Sequence, residues 1–382
     1  MAKLSYPQLT LPAFEKEYAD EIIRLCSKQK SDIESFLLHS GIIVPMEEFF
    51  TLPFEKILSH AKILKSNLKK DMFTFSPHYS KTISEYKDIF DYSRLLQSSI
   101  SPFFMKNSVS MNIRTCCYCN IDFVNSYIPF KNDYRDFLDL INVSNLDDLK
   151  KIKGITSANA KNIQKLCKGH VKTLADLTML LQSSRPVLNL LLKAKNSDGS
   201  IKFDSLKDKK NHYTLDHILP QSKFPFFSLC LYNLVPSCYT CNSKLKGSKM
   251  LTDDFDMLSK ISPTSNSYEN PLKFRLLYKD TFSRKNLPSE SNQYNIELET
   301  KNSYTELLNL QGRYNFHKNE SLKLIKQRKI YSDSQIVAFS KFLKMDVIEI
   351  KKHLFGTSLF ENDSNEPFDR YKKDIAKELG II

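Results

Sequence analysis

Two widely separated cysteine pairs constrain this 382-residue chain more than any other feature of its sequence. Two residues separate Cys116 from Cys119, and two separate Cys238 from Cys241. Two such pairs supply four thiolates, the ligand set of a tetrahedral structural zinc site. Such a zinc ion has no open coordination position, so it stabilises a fold rather than catalysing a reaction. The alternative is four free buried cysteines; Cys117, which lies between two expected ligands, is not expected to bind metal.

The stretch that ends in the second cysteine pair carries the polar residues of a candidate active site. The run YTLDHILP is rich in β-favouring residues and stops at Pro220, which predicts a short strand. Asp216 and His217 are neighbours on this strand, and neighbouring strand residues point to opposite faces. A second short apolar run contains Asn233, and Asn242 directly follows the cysteine pair at the start of an expected helix.

This order of strand, second strand limb and helix, with Asp216-His217, Asn233 and Asn242 in register, resembles the HNH family of ββα-metal endonucleases over about residues 114–250. The resemblance implies that His217 is the general base that deprotonates the attacking water. It implies that Asp216 and Asn242 hold one divalent cation, Mg²⁺ or Mn²⁺, and that Asn233 orients the loop that positions His217. The chemistry suits these roles, because hard cations prefer oxygen ligands and a histidine of ordinary pKa, about 6.5, accepts protons near neutral pH. An Asp-His dipeptide alone is common, so the prediction depends on all four positions.

Three lysines, Lys244, Lys246 and Lys249, follow Asn242 on or near the expected helix. Lysines in this place either form a solvated helix face or contact nucleic-acid phosphate. The HNH family usually has a Lys-Gly pair soon after the asparagine, and the pair that begins at Lys246 stands close to that place, slightly offset. The sequence therefore predicts phosphate contacts for these lysines.

The long separation of the cysteine pairs implies an insertion, expected to be helical over about residues 131–200. Within it, the segment SNLDDLKKIKGITSANAKNIQKL predicts two short helices joined by a turn at Lys153-Gly154. This pattern resembles the helix-hairpin-helix motif, which binds DNA without sequence preference. A glycine permits close backbone approach and the amides that start a helix attract phosphate, while Lys153 and Lys161 would add charge. Thr156 stands where the motif often has a second glycine, so an ordinary helical hairpin is the alternative.

The flanking regions are predicted to be mainly helical, so the expected fold class is α+β with a majority of helix. Residues 1–110 are assigned to a helical N-terminal region, 111–250 to the zinc-stapled HNH domain with its insertion, and 251–382 to a mostly helical C-terminal region. The predicted helices include Glu15–Leu38, Pro53–Leu68 with Thr51 as cap, Ser84–Leu96, Thr173–Leu181, Val187–Lys195, Ser321–Lys329, Ser334–Leu343, Asp346–Leu354 and Glu366–Leu379, and the predicted strands include Ile121–Ile128 and Tyr294–Thr300.

Composition indicates a folded chain with affinity for a polyanion. Hydrophobic residues make up 41% of the sequence, enough for sizeable cores, and the formal net charge of +13 favours nucleic acid as partner. No apolar run approaches the ~20 residues of a membrane-spanning helix, and the N-terminal residues lack the apolar stretch of a signal peptide. The expected location is therefore the cytoplasm, without membrane association. Eight cysteines in that compartment favour metal binding over disulfides.

These features together predict a metal-dependent endonuclease that hydrolyses phosphodiester bonds of DNA. Nucleases of the family that the chain resembles often serve bacterial defence against phage, sometimes beside an ATPase. The sequence has no nucleotide-binding glycine loop, so an ATPase or other defence subunit would be a separate polypeptide; the oligomeric state stays open. The alternatives are an HNH nuclease that cleaves RNA, since phosphate contacts are common to both nucleic acids, and a non-catalytic zinc-dependent nucleic-acid-binding module.

Overall fold

A computed structural model describes residues 3–7, 10–69, 71–91, 97–361 and 364–382 of the chain. Helices predominate in it and are accompanied by small antiparallel sheets, which confirms the mixed α+β, mainly helical fold class. In this described part of the chain, no helix is long and apolar enough to cross a membrane. The chain divides into two compact units: Met1–Asn125 together with Tyr213–Ile382, and Ser126–His212. The predicted insertion lies within the second unit.

The first unit is built mostly from short helices. Its α-helices span Leu11–Leu25, Lys30–Ser40, Met46–Phe49, Phe54–Ser66, Ile83–Ile89, Gln97–Lys106, Phe255–Ile261, Ser303–Leu307, Leu310–Phe316, Asn319–Ile330, Asp333–Leu343, Val347–Phe355 and Asp369–Glu378. A π-helix spans Thr240–Lys246. Several begin with a side-chain cap, for example at Asp346, whose carboxylate accepts a hydrogen bond from the amide of Ile348. The C-terminal helices lie close to their predicted bounds.

The strands are short, and each pairs with a strand that is adjacent to it in chain order. In the first unit they are β1 (Leu68–Lys69), β2 (Met72–Ser76) and β3 (Tyr79–Thr82) in one sheet, β6 (Thr214–His217) with β7 (Leu234–Ser237), and β8 (Phe274–Tyr278) with β9 (Tyr294–Leu298); in the second unit β4 (Ser126–Tyr127) pairs with β5 (Lys210–Asn211). The register of β6 and β7 sets Asp216 opposite Val235 and His217 opposite Leu234. The predicted strands Tyr213–Pro220 and Tyr294–Thr300 are thus confirmed in shorter form.

The first predicted helix, Glu15–Leu38, is wrong in one respect: it is two helices, Leu11–Leu25 and Lys30–Ser40. Residues 27–30 (SKQK) are polar and largely exposed, so they provide no core-facing side chain to continue a single helix. Gly41 ends the second helix as predicted, in the left-handed conformation at φ +74°.

Other corrections concern the next part of the N-terminal region. Thr51 does not cap Phe54–Ser66, because its hydroxyl donates to the carbonyl of Glu47, one turn earlier. The sheet β1–β2–β3 occupies a region predicted as helical, although the alternation in Met72–Ser76 (MFTFS) is a strand signal. Helix Ile83–Ile89 begins the predicted segment Ser84–Leu96, whose residues 92–96 lie outside the described residues.

An aromatic core joins the N-terminal helices to the loop between β6 and β7. The ring of Phe36 stacks on Phe226 of that loop with centroids 5.0 Å apart, and both side chains are fully buried. The backbone is joined as well, since the amide of Leu231 donates to the carbonyl of Phe50 at 2.8 Å. Aromatic pairs of this kind add about 0.5–1.5 kcal/mol beyond the area that they bury. The N-terminal region therefore holds the loop that follows Asp216 and His217.

The second unit is a small helical body with its own core. Its helices span Phe137–Val143, Leu146–Leu149, Ser157–Cys167, Leu174–Leu180 and Arg185–Lys193. Asp136, Asn145, Thr156 and Thr173 cap the first four of these helices through their side chains. The predicted strand Ile121–Ile128 is reduced to Ser126–Tyr127 and an isolated bridge from Phe123 to Thr115, because the turn after Cys119 uses the intervening backbone groups.

Candidate functional site

The four cysteines of the two pairs come together in the first unit. The Sγ atoms of Cys116, Cys119, Cys238 and Cys241 all lie within 4.8 Å of one another, and all four residues are buried. All eight cysteines lie in the described part of the chain, and none of them forms a disulfide. A tetrahedral zinc ion with Zn–S bonds of ~2.3 Å sets its sulfurs about 3.8 Å apart, and Sγ of Cys119 lies 4.0 Å from Sγ of Cys238. The cluster could therefore hold a metal ion such as zinc.

The surroundings of the four-cysteine cluster favour a thiolate at Cys119, whereas burial raises the pKa of Cys116. Arg313 donates from Nη1 to Sγ of Cys241 at 3.1 Å and pairs with Asp122 at 3.3 Å. The backbone amide of Ile121 donates to Sγ of Cys119. Burial acts to raise the pKa of Cys119, but hydrogen bonds from the other three thiols and the charge of Arg313 hold that pKa well below its usual value. Arg313 had no signal in the sequence, because its helix is far along the chain.

The C-terminal region encloses the first cysteine pair directly. The hydroxyl of Tyr304 donates to the carbonyl of Tyr118, and that of Tyr314 donates to the carbonyl of Cys119 at 2.6 Å. The amide of Phe368 donates to the carbonyl of Asn120 at 2.7 Å. Residues beyond 250, assigned from the sequence to a separate region, thus fix the backbone of the cysteine turn.

Asp216 is a buried carboxylate with hydrogen-bond donors on two sides. Its side chain is close to 5% exposed. The hydroxyl of Tyr118 donates to Oδ2 at 2.6 Å, and Nζ of Lys246 donates to Oδ1 at 3.2 Å. Lys246 also donates to the carbonyl of His217 at 2.8 Å, so it joins both strand residues. The carboxylate is therefore held in one orientation by residues that are far apart in the sequence.

His217 is held by the loop that follows its strand. Its Nε2 lies 2.9 Å from the carbonyl oxygen of Ser228, and the hydroxyl of Ser228 donates to the carbonyl of Phe90. A carbonyl only accepts, so Nε2 carries the proton and Nδ1 is the unprotonated atom of the neutral ring. Burial lowers the pKa of His217 to about 4, against the opposing charge of Asp216. The imidazole is therefore neutral at pH 7.

The two asparagines hold different parts of the hairpin and helix. The side-chain oxygen of Asn233 accepts a hydrogen bond from the backbone amide of Leu219 at 2.8 Å. Its side-chain nitrogen donates to the carbonyls of Leu219 and Phe227, so Asn233 connects separate parts of the loop after β6. Asn242 donates from Nδ2 to Oγ1 of Thr214 at 2.8 Å, which leaves the amide oxygen as the atom that can bind a cation.

A cleft of about 550 Å³ opens beside these side chains. Its walls include the predicted site residues Asp216, His217 and Asn242, together with Lys246. Three further lining residues, Lys87, Asp88 and Asp91, come from the N-terminal region. No pattern in the sequence indicated that this region contributes to the site. Side-chain oxygens that could bind a cation and a neutral imidazole thus line one cleft, which we call the Asp216 cleft.

The three lysines after Asn242 occupy different environments. Lys244 and Lys249 are exposed, as a phosphate-contacting side chain would need to be. Lys246 is only 1% exposed and ion-paired with Asp216, so its side chain is not placed for the phosphate contact that the sequence predicted. The reason is the π-helix Thr240–Lys246, which turns this side chain back towards β6.

The predicted DNA-binding turn lies in the second unit. Gly154 adopts a left-handed conformation at φ +82°, and a Cβ added there would lie 2.9 Å from the side chain of Leu190. Lys153 and Lys161 are exposed. The hydroxyl of Thr156 caps the following helix by accepting a hydrogen bond from the amide of Asn159. Thr156 therefore has a structural role at the position where the helix-hairpin-helix motif often has a second glycine.

One compact unit therefore contains both a four-cysteine cluster and a cleft with a carboxylate, a neutral imidazole and an amide. The chemistry of these two clusters is the basis on which a function can be assigned. No protein-family model, curated protein or solved structure matches the chain.

Proposed function

We propose that this chain is a metal-dependent endonuclease of the HNH type that hydrolyses phosphodiester bonds of DNA. The supporting observation is the β6–β7 hairpin and following helix, from which Asp216, His217 and Asn242 all line one cleft. Phosphodiester hydrolysis needs a base for the attacking water and oxygen ligands for a cation, and these residues supply both. The net charge of +13 supports a polyanionic substrate.

His217 acts as the general base in this proposal. Its Nε2–H is held by the carbonyl of Ser228, so Nδ1 is the atom that takes the proton from water. Because burial lowers the pKa of His217 to about 4, the ring is in the accepting form throughout the neutral range. A well-placed general base contributes about 10²–10⁴-fold to the rate.

Asp216 and Asn242 would hold the divalent ion, Mg²⁺ or Mn²⁺. One carboxylate and one amide oxygen form a hard donor set, which suits an ion that keeps several of its waters. When bound, such an ion stabilises charge on the phosphate and on the leaving oxygen. Tyr118 and Lys246 fix the orientation of the Asp216 carboxylate, and Asn233 fixes the loop that holds His217.

Zn²⁺ is the proposed occupant of the four-cysteine cluster. Four thiolates would fill its coordination, so the ion would have a structural role. It would join the turn Cys116–Cys119 to the end of β7, which is directly followed by Cys238. The exposed residues Lys153, Lys161, Lys244 and Lys249 are proposed contacts with the DNA backbone, and Gly154 forms the turn beside Lys153.

The direct test is incubation of the purified protein with supercoiled plasmid and, in parallel, with structured RNA, in Mg²⁺, in Mn²⁺ or without a divalent ion. The expected result is nicked or linear DNA that requires the ion. Cleavage of RNA alone would move the substrate class to RNA. Binding of either nucleic acid in a shift assay, without cleavage of any, would instead support a non-catalytic zinc-dependent binding module.

We also propose a cellular role in bacterial defence against phage, with a separate ATPase or other defence subunit as partner. This role comes from the family resemblance, and the ATPase is proposed as a separate polypeptide because this sequence has no nucleotide-binding glycine loop. Co-purification of a stoichiometric ATPase would support it. A monodisperse monomer that cuts DNA unaided would argue against a required partner.

A further inference from the structure

We propose that Tyr118 is a positioning residue for Asp216, and that cation affinity in the Asp216 cleft depends on its hydroxyl. The inference rests on the proposed function, because it takes Asp216 as a ligand of the divalent ion. The Tyr118 hydroxyl donates to Oδ2 of Asp216 at 2.6 Å, a short distance that is typical of O–H bonded to an ionised carboxylate. Both residues are buried, at 0% and 4% exposure for Tyr118 and Asp216.

The position of this hydroxyl is set by the cysteine turn. Tyr118 directly precedes the cluster residue Cys119, and its own carbonyl accepts a hydrogen bond from Tyr304. The amide of Cys117 donates to the carbonyl of Pro236, which lies in β7 opposite Leu215. The phenol ring is therefore fixed at its base, and its hydroxyl reaches Asp216 at its tip.

Lys246 alone does not give the carboxylate a unique direction. Its Nζ lies within 3.2 Å of both oxygens of Asp216, so this contact does not distinguish one carboxylate oxygen from the other. The rigid tyrosine ring makes this distinction, because its hydroxyl donates to Oδ2. Hydrogen-bond partners that orient a metal ligand typically change metal affinity by about 10–100-fold.

The same contacts connect the two proposed metal sites. Cys119 follows Tyr118, and Cys238 follows β7, whose residue Val235 lies opposite Asp216. An ion bound by both cysteine pairs would link the turn that carries Tyr118 to the β6–β7 hairpin. The hairpin carries the Asp216 carboxylate, to which Tyr118 donates. Loss of that ion would release Tyr118 and weaken cation binding in the Asp216 cleft.

The test is a Tyr118→Phe variant of the zinc-loaded 382-residue chain, titrated with Mn²⁺ and followed by the electron paramagnetic resonance signal of the free ion. The expected result is about 10-fold weaker Mn²⁺ binding with zinc content unchanged. Tyr371→Phe removes another buried hydroxyl, which donates to Ser321, and is expected to bind Mn²⁺ like the wild type. The Asp216→Asn variant shows how much of the measured Mn²⁺ binding depends on the Asp216 carboxylate.

A second readout is the rise in Tm caused by Mn²⁺, which compares each protein with itself and remains valid if Tyr118→Phe is less stable. It is expected to be smaller in Tyr118→Phe than in wild type. Equal Mn²⁺ affinity and an equal rise in Tm in the two proteins would overturn the role of Tyr118. Wild-type protein that binds no Mn²⁺ through Asp216 would instead overturn the proposed function and, with it, this inference.

Discussion

Nζ of Lys246 lies 3.0 Å from Oδ2 of Asp216, and both side chains are almost completely buried. The ammonium neutralises the carboxylate in the metal-free protein and lies on the atoms that would bind a divalent ion. A buried charge that loses its partner is costly, whereas an ion that binds the carboxylate would take over the partner's role.

Replacing Lys246 with Met is expected to destabilise the metal-free protein and to increase its response to divalent ions. The carboxylate of Asp216 would lose its ion pair, which costs about 3–5 kcal/mol when a buried pair is broken on one side. Mn²⁺ would then offset this loss, so the rise in Tm on adding Mn²⁺ should exceed that of the wild type. Thermal unfolding in chelator-treated buffer, with and without Mn²⁺, measures both effects.

The matched control is Lys244→Met, which removes an exposed lysine of the same helix. Its Tm and its response to Mn²⁺ should equal those of the wild type, since exposed charges contribute little. If Lys246→Met behaves like Lys244→Met, the ion pair with Asp216 has no energetic role.

The pH dependence of cleavage should reflect the lowered pKa of His217. An ordinary histidine takes up a proton as the pH falls through about 6.5, whereas folded His217 does so only near pH 4. Between these values the unfolded chain binds a proton that the folded chain does not, so this residue lowers stability as the pH falls through that window. The cleavage rate should be measured from pH 5 to 8 while circular dichroism confirms folding. It should not fall near pH 6.5, because His217 stays unprotonated there. A rate that drops tenfold per pH unit directly below 6.5 would contradict this environment for His217.

Zinc content should depend on the four clustered cysteines and not on their neighbour. Cys238→Ser is expected to lose bound zinc and to lower Tm, because a structural site needs all four ligands. Cys117→Ala removes a cysteine that is equally buried but outside the cluster, and it should keep zinc. Elemental analysis of the purified proteins checks both. Zinc retained at the wild-type level in the Cys238→Ser protein would contradict the assigned ligands.

The turn at Gly154 should increase the affinity of the protein for DNA, whatever the DNA sequence. Lys153→Ala combined with Lys161→Ala is expected to weaken binding of unrelated duplexes alike and to reduce the salt slope by about one for each phosphate that is no longer neutralised. Lys193→Ala, which removes an exposed lysine elsewhere in the same unit, is the control. Equal salt slopes in all three proteins would show that the turn does not contact phosphate.

The parts of the fold that local sequence determines were predictable. The alternation before Pro220 predicts β6, and the paired cysteines predict their own cluster, since two-residue spacing brings both thiols of each pair to one side. Capping residues such as Asp346 likewise define helix starts. These signals depend on neighbours within a few positions.

The remaining features arise from contacts between distant parts of the chain. Tyr118 and Asp216 are 98 positions apart in sequence, and no local pattern shows that a residue between two cysteines reaches a strand. Lys246 resembles any surface lysine until the π-helix turns it inward. Lys87 and Asp88 enter the cleft only because an aromatic core carries their helix there.

The role proposed for His217 is that of the base in a metal-dependent nuclease. The most direct measurement is single-turnover cleavage of supercoiled plasmid in Mg²⁺ by the wild type and by His217→Ala, at matched zinc content and matched DNA affinity. If His217 is the base, the rate of the variant should be at least about 100-fold lower. Cleavage by His217→Ala at the wild-type rate would contradict this role.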